Sequence, residues 1–224
     1  MARMDRGGGS GDDRAMLFDL TKLKPEDQYK LLASTVVPRP IAWVVTLNPA
    51  GRLNAAPFSF FNVFGAGPPI LCLGIGARRP GDPKDTGENI RLTGEFVVNL
   101  VAHENAEAMN VTAIEFGPEV DELAEARLTT LPSEKIRPPR IAESPVAMEC
   151  TLHSMIEFGP DRALVIGQVQ AMHVRDDAVL NPERCHIDTP KLDLIGRMHG
   201  GGWYARTTER FDMPRIPVGN WPRD

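Results

Sequence analysis

"VAMECTLHSMIEF" (146–158) and "RALVIGQVQAMHV" (162–174) flank the short joint "GPD" (159–161). Both runs are dense in β-branched and large apolar residues. A Gly-Pro-Asp joint leaves room only for a reversal, so the pair reads as a long antiparallel hairpin. The same pattern recurs upstream, where "IAWVVTL" (41–47) and "LNAAPFSFF" (53–61) flank "NPAGR", a turn supplied with Pro and Gly. "PILCLGI" (69–75) and "EFVVNLV" (95–101) are continuous apolar runs, as buried strands are. Some six strands, mostly hairpin-linked and with a few inserted helices, predict a mainly β, antiparallel barrel rather than a βαβ sheet.

The helices are fewer. "KPEDQYKLLAS" (24–34) predicts one: Pro25 suits the first turn, Glu26 and Asp27 suit the dipole, and Tyr29, Leu32 and Ala33 share a face. Pro38 and Pro40 bar its continuation. The stretch 103–126 reads as helical with an interruption at "FGP", 131–145 as a loop, and the tail 196–217 as irregular. With no repeat and no internal linker, 15–224 reads as one domain. Residues 1–14 are Gly-rich and polar, and read as a disordered tail.

Composition narrows the function. The 224 residues are 42% apolar and 25% charged, with net charge −5, which speaks against nucleic acid as a partner. Three cysteines, widely spaced, exclude a full disulfide framework and any CxxC metal pair, and fit a reducing cytosol. No apolar stretch suits a signal peptide or a membrane span, so the expectation is a cytoplasmic protein that does not engage a membrane. There is no GxxxxGK[ST], no HExxH and no GxSxG, and the five histidines are scattered, so no metal site is predicted. Gly74-Ile75-Gly76 follows a strand, but Arg79 stands where a dinucleotide fingerprint needs its third glycine.

Two stretches carry chemistry. In "DPKDTGENI" (82–90), Asp85 or Thr86 suits a helix N-cap, and Asp85 with Glu88 resembles a capping box. The same turn places Arg78, Arg79 and Lys84 just before a helix N-terminus, where backbone N–H groups and cations make a site for one phosphate. In "NAAPFSFFN" (54–62), Asn54-Ala55-Ala56 lets a ligand approach the backbone, and Pro57 interrupts the ladder. Ser59 and Asn62 offer hydrogen bonds, while Phe58, Phe60, Phe61 and Phe64 offer either apolar walls for a flat ring or ordinary core.

These blocks, with "PRPIAW" (38–43), "GEFVVNL" (94–100) and "LVIGQV" (164–169), resemble the flavin reductase-like family of FMN-binding split-barrel proteins, in order from Ser34 to Tyr204. The resemblance implies a Greek-key split β-barrel, a homodimer and FMN at the subunit interface. It implies that Thr46, Asn54, Ala55, Ala56, Ser59 and Phe60 surround the ring and ribityl chain. Lys84, Asp85, Thr86 and Asn89 would then serve the phosphate and ribityl oxygens. The family's later Arg-x-Gly-Gly block with a following Tyr corresponds here to "GRMHGGGWY" (196–204), which carries an extra glycine and makes Arg197, His199 and Tyr204 the catalytic candidates. The implied activity passes electrons from NADH or NADPH through FMN to a flavin or another small acceptor; the alternative is a non-catalytic FMN carrier or sensor.

Overall fold

The computed structural model describes residues 15–220 apart from Pro118 and Pro160. The tail expected at 1–14 lies outside the described residues. Seven strands form one antiparallel sheet: β1 Ala42–Leu47, β2 Leu53–Phe58, β3 Phe61–Ala66, β4 Pro69–Gly76, β5 Glu95–Leu100, β6 Val146–Glu157 and β7 Arg162–Val174. Their order is β2-β1-β5-β6-β7-β4-β3. The two outermost strands are consecutive in the chain, parted only by Ser59 and Phe60. One bent segment, 53–66, therefore pairs with β1 through its first half and with β4 through its second. Gly74 N–H donates to Phe60 O at 2.7 Å across the bend. A Cβ on Gly74 would lie 3.1 Å from that of Phe60, so glycine lets the two backbones approach. The sheet thus curls round on itself and its last gap is spanned by the chain.

Sequence reading treated 53–61 as a single strand; the chain instead turns at Ser59–Phe60 and continues as β3. Phe58 and Phe61 face inward while Phe60 and Phe64 are exposed. Inward residues three apart break the two-residue alternation of a strand, and the bend restores it. The long hairpin forms as expected, with β-bulges at Glu149/Cys150 and Leu152/Ser154 that let twelve- and thirteen-residue strands curve.

Inside the barrel pack Ala42, Val44, Phe58, Leu71, Phe96 and Val165, among others. The opposite face of β1 and β5 is buried too: Trp43, Val45 and Val97 pack against Met109, Leu123 and Ile141. Burial on both faces explains why "IAWVVTL" and "EFVVNLV" are apolar throughout. The cover comes from two short helices, α3 (Ala106–Val111) and α4 (Glu122–Glu125), where the sequence predicted a longer, once-interrupted helix. Before them come α1 (Pro25–Thr35) and α2 (Asp85–Thr93), the latter closed by Gly94 at φ 72°. Of the expected α1 face only Ala33 is buried; Tyr29 and Leu32 are half-exposed. The tail is not wholly irregular, since Ile195–Arg197 pairs with Tyr204–Arg206. Among the described residues no helix is long and apolar enough to cross a membrane.

One buried charge ties the loop 132–139 to the sheet. Glu149, fully buried on β6, accepts N–H bonds from Glu134 (2.8 Å) and Lys135 (2.7 Å), and its Oε1 lies 2.6 Å from His173 Nε2. Burial raises its pKa, but these donors outweigh burial and hold it below the ordinary value of 4.5. A carboxylate with a depressed folded pKa contributes stability above its unfolded pKa and loses it as pH falls toward the folded one. Glu149→Gln should therefore cost about 1.5–3 kcal/mol at neutral pH. The difference from the parent should narrow as pH drops below 4.5, read by urea unfolding of both proteins across pH 7 to 3. A pH-independent difference would dismiss the carboxylate as the tie.

Candidate functional site

The end of the barrel beside α2 gathers the polar residues that the sequence analysis selected. α2 packs over β1 and β2 through two side-chain bridges. Asn54 Nδ2 donates to Thr86 Oγ1 at 2.9 Å, and Asn89 Nδ2 donates to Thr46 Oγ1 at 3.0 Å. All four residues are buried. Four of the ten predicted cofactor residues are thus engaged with one another, and their first effect is to fix the helix on the sheet. Thr86 Oγ1 accepts from Asn54, which leaves its own proton to donate.

The turn before α2 differs from both N-cap readings. Lys84 occupies the cap position without a side-chain cap bond; Asp85 and Thr86 are the first helical residues, and no capping box forms. Asp85 bonds instead to the Arg78 guanidinium, which also reaches Asp82 at 3.6 Å. The seven-residue step back to Arg78 is invisible to a capping rule, which looks only forward. Its consequence is electrostatic, because Arg78 offsets both acids around the turn, Asp82 and Asp85. Among the described residues Lys84 has no salt bridge; its Nζ lies 5.5 Å from the Phe58 ring centroid. The backbone N–H groups of Asp85 and Thr86 donate to no described acceptor.

A cavity of about 80 Å³ opens here, lined by Asn54, Ala56, Pro57, Lys84, Asp85 and Thr86, with Ala113 and Glu122 opposite. A second, of about 220 Å³, is lined by Pro57, Phe58, Ser59, Ala113, Arg197 and Tyr204 together with Tyr29 and Met109. Pro57 and Ala113 line both, so the two are neighbouring parts of a depression along the closing segment. Arg197 and Tyr204 stack, the guanidinium carbon 4.6 Å from the ring centroid. Phe60 stands outside, 39% exposed, 6.0 Å from the Tyr29 ring and under Arg39. Ala55 also turns away from the depression: its side chain is core, and its N–H donates to Glu122 Oε2 at 3.1 Å. His199 lines a separate open groove of about 920 Å³ with Tyr29, Arg78, Arg79 and Arg162. Its Nδ1 accepts from Gly201 N–H at 3.1 Å, and Trp203 packs beside the ring. The His199 ring thus lines a different cavity from Arg197 and Tyr204, although its carbonyl accepts from Arg197 Nε at 2.9 Å.

Sequence reasoning missed Glu122. It is nearly buried against the edge of β2, and burial, with Asp85 and Asp121 nearby, raises its pKa despite the N–H donors that oppose this. Its only signal is Asp121, which caps α4 through bonds from Leu123 and Ala124 N–H; nothing in "DELAE" shows that α4 faces the depression.

The sequence profile described as "Flavin reductase like domain" matches residues 33–188. An uncharacterized protein of Deinococcus radiodurans is 41% identical over 208 residues, 91% of each chain. Among solved structures, nitrilotriacetate monooxygenase component B from Bacillus cereus superposes with TM-score 0.84 at 32% identity, covering 90% of this chain and all of that one. The 2-nitrobenzoate 2-nitroreductase NbaA of Pseudomonas fluorescens gives 0.81 at 33% identity, covering 90% and 96%. A Shewanella frigidimarina flavin reductase with a split barrel domain, 22% identical over 88% of this chain and 96% of its own, shares the fold at TM-score 0.75.

The Asn54–Thr86 bridge generates a stability test. Thr86→Val removes the acceptor of a buried amide and should cost about 1–3 kcal/mol. In a double-mutant cycle with Asn54→Ala the two losses should couple by at least about 0.5 kcal/mol. Additive losses in urea unfolding would show that the two side chains act separately.

Proposed function

The chain belongs to the flavin reductase-like family, and from that premise we propose that it is an FMN-binding oxidoreductase with the family's split β-barrel. It takes electrons from NADH or NADPH and passes them to a flavin or another small acceptor. The observation that carries this reading is the pair of neighbouring cavities along the closing segment, polar and charged at the α2 turn, where Lys84 stands beside Thr86, and aromatic at the Arg197–Tyr204 end. Lys84, Thr86 and the first N–H groups of α2 would hold one phosphate by charge, hydroxyl and helix dipole together. Asn54, Ala56 and Asn89 would lie along the ribityl chain, and Ser59 with Phe58 would flank the ring. A compact turn that carries Lys84, with no second such turn among the described residues, favours FMN over FAD. FMN, when bound, supplies hydride acceptance and one- or two-electron delivery. The protein's task is then to orient the ring and to exclude water, which is why no acid–base dyad is needed. Arg197 and Tyr204 remain at the ring end as groups that could contact a substrate, whereas His199 lies off it.

We further propose that the working unit is a homodimer. On β3, Val63 and Phe64 are 59% and 69% exposed, an apolar edge beside the depression that a second copy would cover. Light scattering should report a dimer at micromolar concentration, and a flavin-loaded monomer would refute this.

The purified protein should be yellow and should release FMN on heating. Anaerobic NADH or NADPH should bleach it rapidly; if neither does, the non-catalytic carrier reading prevails. Lys84→Ala should weaken FMN about 10- to 100-fold, the loss of a bond to a charged group, and leave riboflavin nearly unchanged. Fluorescence titrations of both flavins decide the matter, and equal losses for the two would remove the phosphate from this turn.

A further inference from the structure

Glu122 is a buried acid of the depression to which the flavin reading gives no task. It opens α4, and the preceding Asp121 already caps that helix through Leu123 and Ala124 N–H. The Glu122 carboxyl is therefore left to the sheet, where its Oε2 accepts from Ala55 N–H on β2 at 3.1 Å. The residue is only 9% exposed. Burial first, then Asp85 and Asp121, raise its pKa against the N–H donors of Ala55 and of Glu122 itself.

The position of this acid sets it against the proposed phosphate. It lines the cavity of about 80 Å³ opposite Lys84 and Thr86, and also a smaller one of about 40 Å³ with Asn54 and Asn89. The charged groups around it come from every neighbouring element. Lys84, Asp85, Arg78 and Glu115 stand about the larger cavity, Arg52 in the smaller one, and Asp121 beside it on its own helix. Arg78 is shared between Asp82 and Asp85, and Glu115 is exposed. At about 30 Å³ per water the larger cavity has room for two or three waters. A phosphate held there by Lys84, Thr86 and the first N–H groups of α2 faces the carboxyl across that short gap. It brings between one and two negative charges into a partly dry setting, where repulsion is weakly screened. Two anions in so small a space are costly, and the carboxyl is already pressed toward its neutral form.

We propose that Glu122 is a proton-linked gate on cofactor retention: the cavity accepts the FMN phosphate beside a neutral Glu122 and resists it beside an ionised one. As a neutral acid, Glu122 keeps one oxygen for Ala55 N–H and gains a proton that a phosphate or ribityl oxygen can accept. A group whose pKa is higher in the bound state takes up protons on binding. Affinity is then full below the unbound pKa and falls as pH rises toward the bound one. The inference rests on the proposed FMN reading and deepens it, since the same site holds its flavin firmly at low pH and exchanges it at high pH.

The test compares the parent with Glu122→Gln, whose amide keeps an acceptor for Ala55 N–H and carries no charge at any pH. FMN and riboflavin are titrated into both full-length apoproteins by fluorescence quenching, from about pH 5 to about pH 9. At about pH 8 the Gln variant should bind FMN at least about tenfold more tightly than the parent, the equivalent of one pKa unit. Near pH 5 the two should agree within about threefold, because the parent acid is then neutral too. Riboflavin should not distinguish them at any pH. The FMN phosphate itself titrates near about pH 6, but both proteins meet the same ligand. If the variant fails to fold, the parent alone decides. Above about pH 7 free FMN has lost its second phosphate proton, so a preference for FMN over riboflavin that falls there reports the protein. A variant that binds FMN no better than the parent at high pH, a gain shared equally by riboflavin, or a parent preference that stays level would each overturn the proposal. If neither protein takes up FMN at any pH, the cofactor reading fails by itself. Inorganic phosphate, titrated by calorimetry into the same pair, must then favour the Gln variant at high pH; equal affinities, or no uptake by either, would overturn the gate as well.

Discussion

The barrel depends on one short contact, the bond from Gly74 N–H to Phe60 O at 2.7 Å where the segment 53–66 bends. Every other neighbouring pair of strands in the sheet is joined by a ladder of several residues. At the bend the closing force is a chain that is already continuous, so the sheet needs no second ladder between β2 and β4. The requirement passes to the side chains. A glycine must stand opposite Phe60, and residues on either side of the bend must both reach the interior, as Phe58 and Phe61 do. Closure also decides where a ligand can go. The depression runs along this segment, where the outward edge of β2 is left free by the strand order and is only partly covered by α4 and Glu122.

α2 is the second element placed by that edge. Its docking is polar, through Asn54–Thr86 and Asn89–Thr46, while Ile90 alone reaches the interior cluster. A helix held by amide and hydroxyl pairs keeps its N-terminus in a fixed position without a thick apolar layer beneath it. The Arg78–Asp85 bond completes the arrangement by giving the first acid of α2 its own cation. The resulting charge pattern is mixed: Asp85 is paired with Arg78 and Glu122 is burdened by burial, Glu115 is exposed, and among the described residues Lys84, Arg39 and Arg197 form no salt bridge.

Much of this was legible in the residues. The long hairpin could be read because a Gly-Pro-Asp joint between two apolar runs admits one geometry, and β1, β4 and β5 because burial on both faces leaves continuous apolar runs. The bend was not legible, since "FSFF" offers aromatic residues at both parities and a strand rule cannot choose between them. Among the site residues, Lys84, Thr86 and Asn54 line one cavity and Asn89 bonds to Thr46 beside it, whereas Ala55 and Phe60 turn out of the depression and His199 lies in another groove. His199 is held locally, by Gly201 N–H and Trp203, but the other two differences arise from tertiary partners far along the chain, Glu122 for Ala55 and Tyr29 for Phe60. Local pattern carries no information about partners at such separations.

The bend has a thermodynamic corollary. A wall that both closes the barrel and lines the depression cannot move without disturbing whatever occupies the depression, so binding and local opening are linked equilibria. An occupant present at a hundred times its dissociation constant would make any opening that expels it about 2.7 kcal/mol less accessible. Most of the barrel, sealed by full ladders, would feel none of that change short of global unfolding. The amide of Gly74 would therefore act as a gauge: its exchange with solvent would follow occupancy, while amides in the ladder between β5 and β6 would follow the stability of the whole molecule.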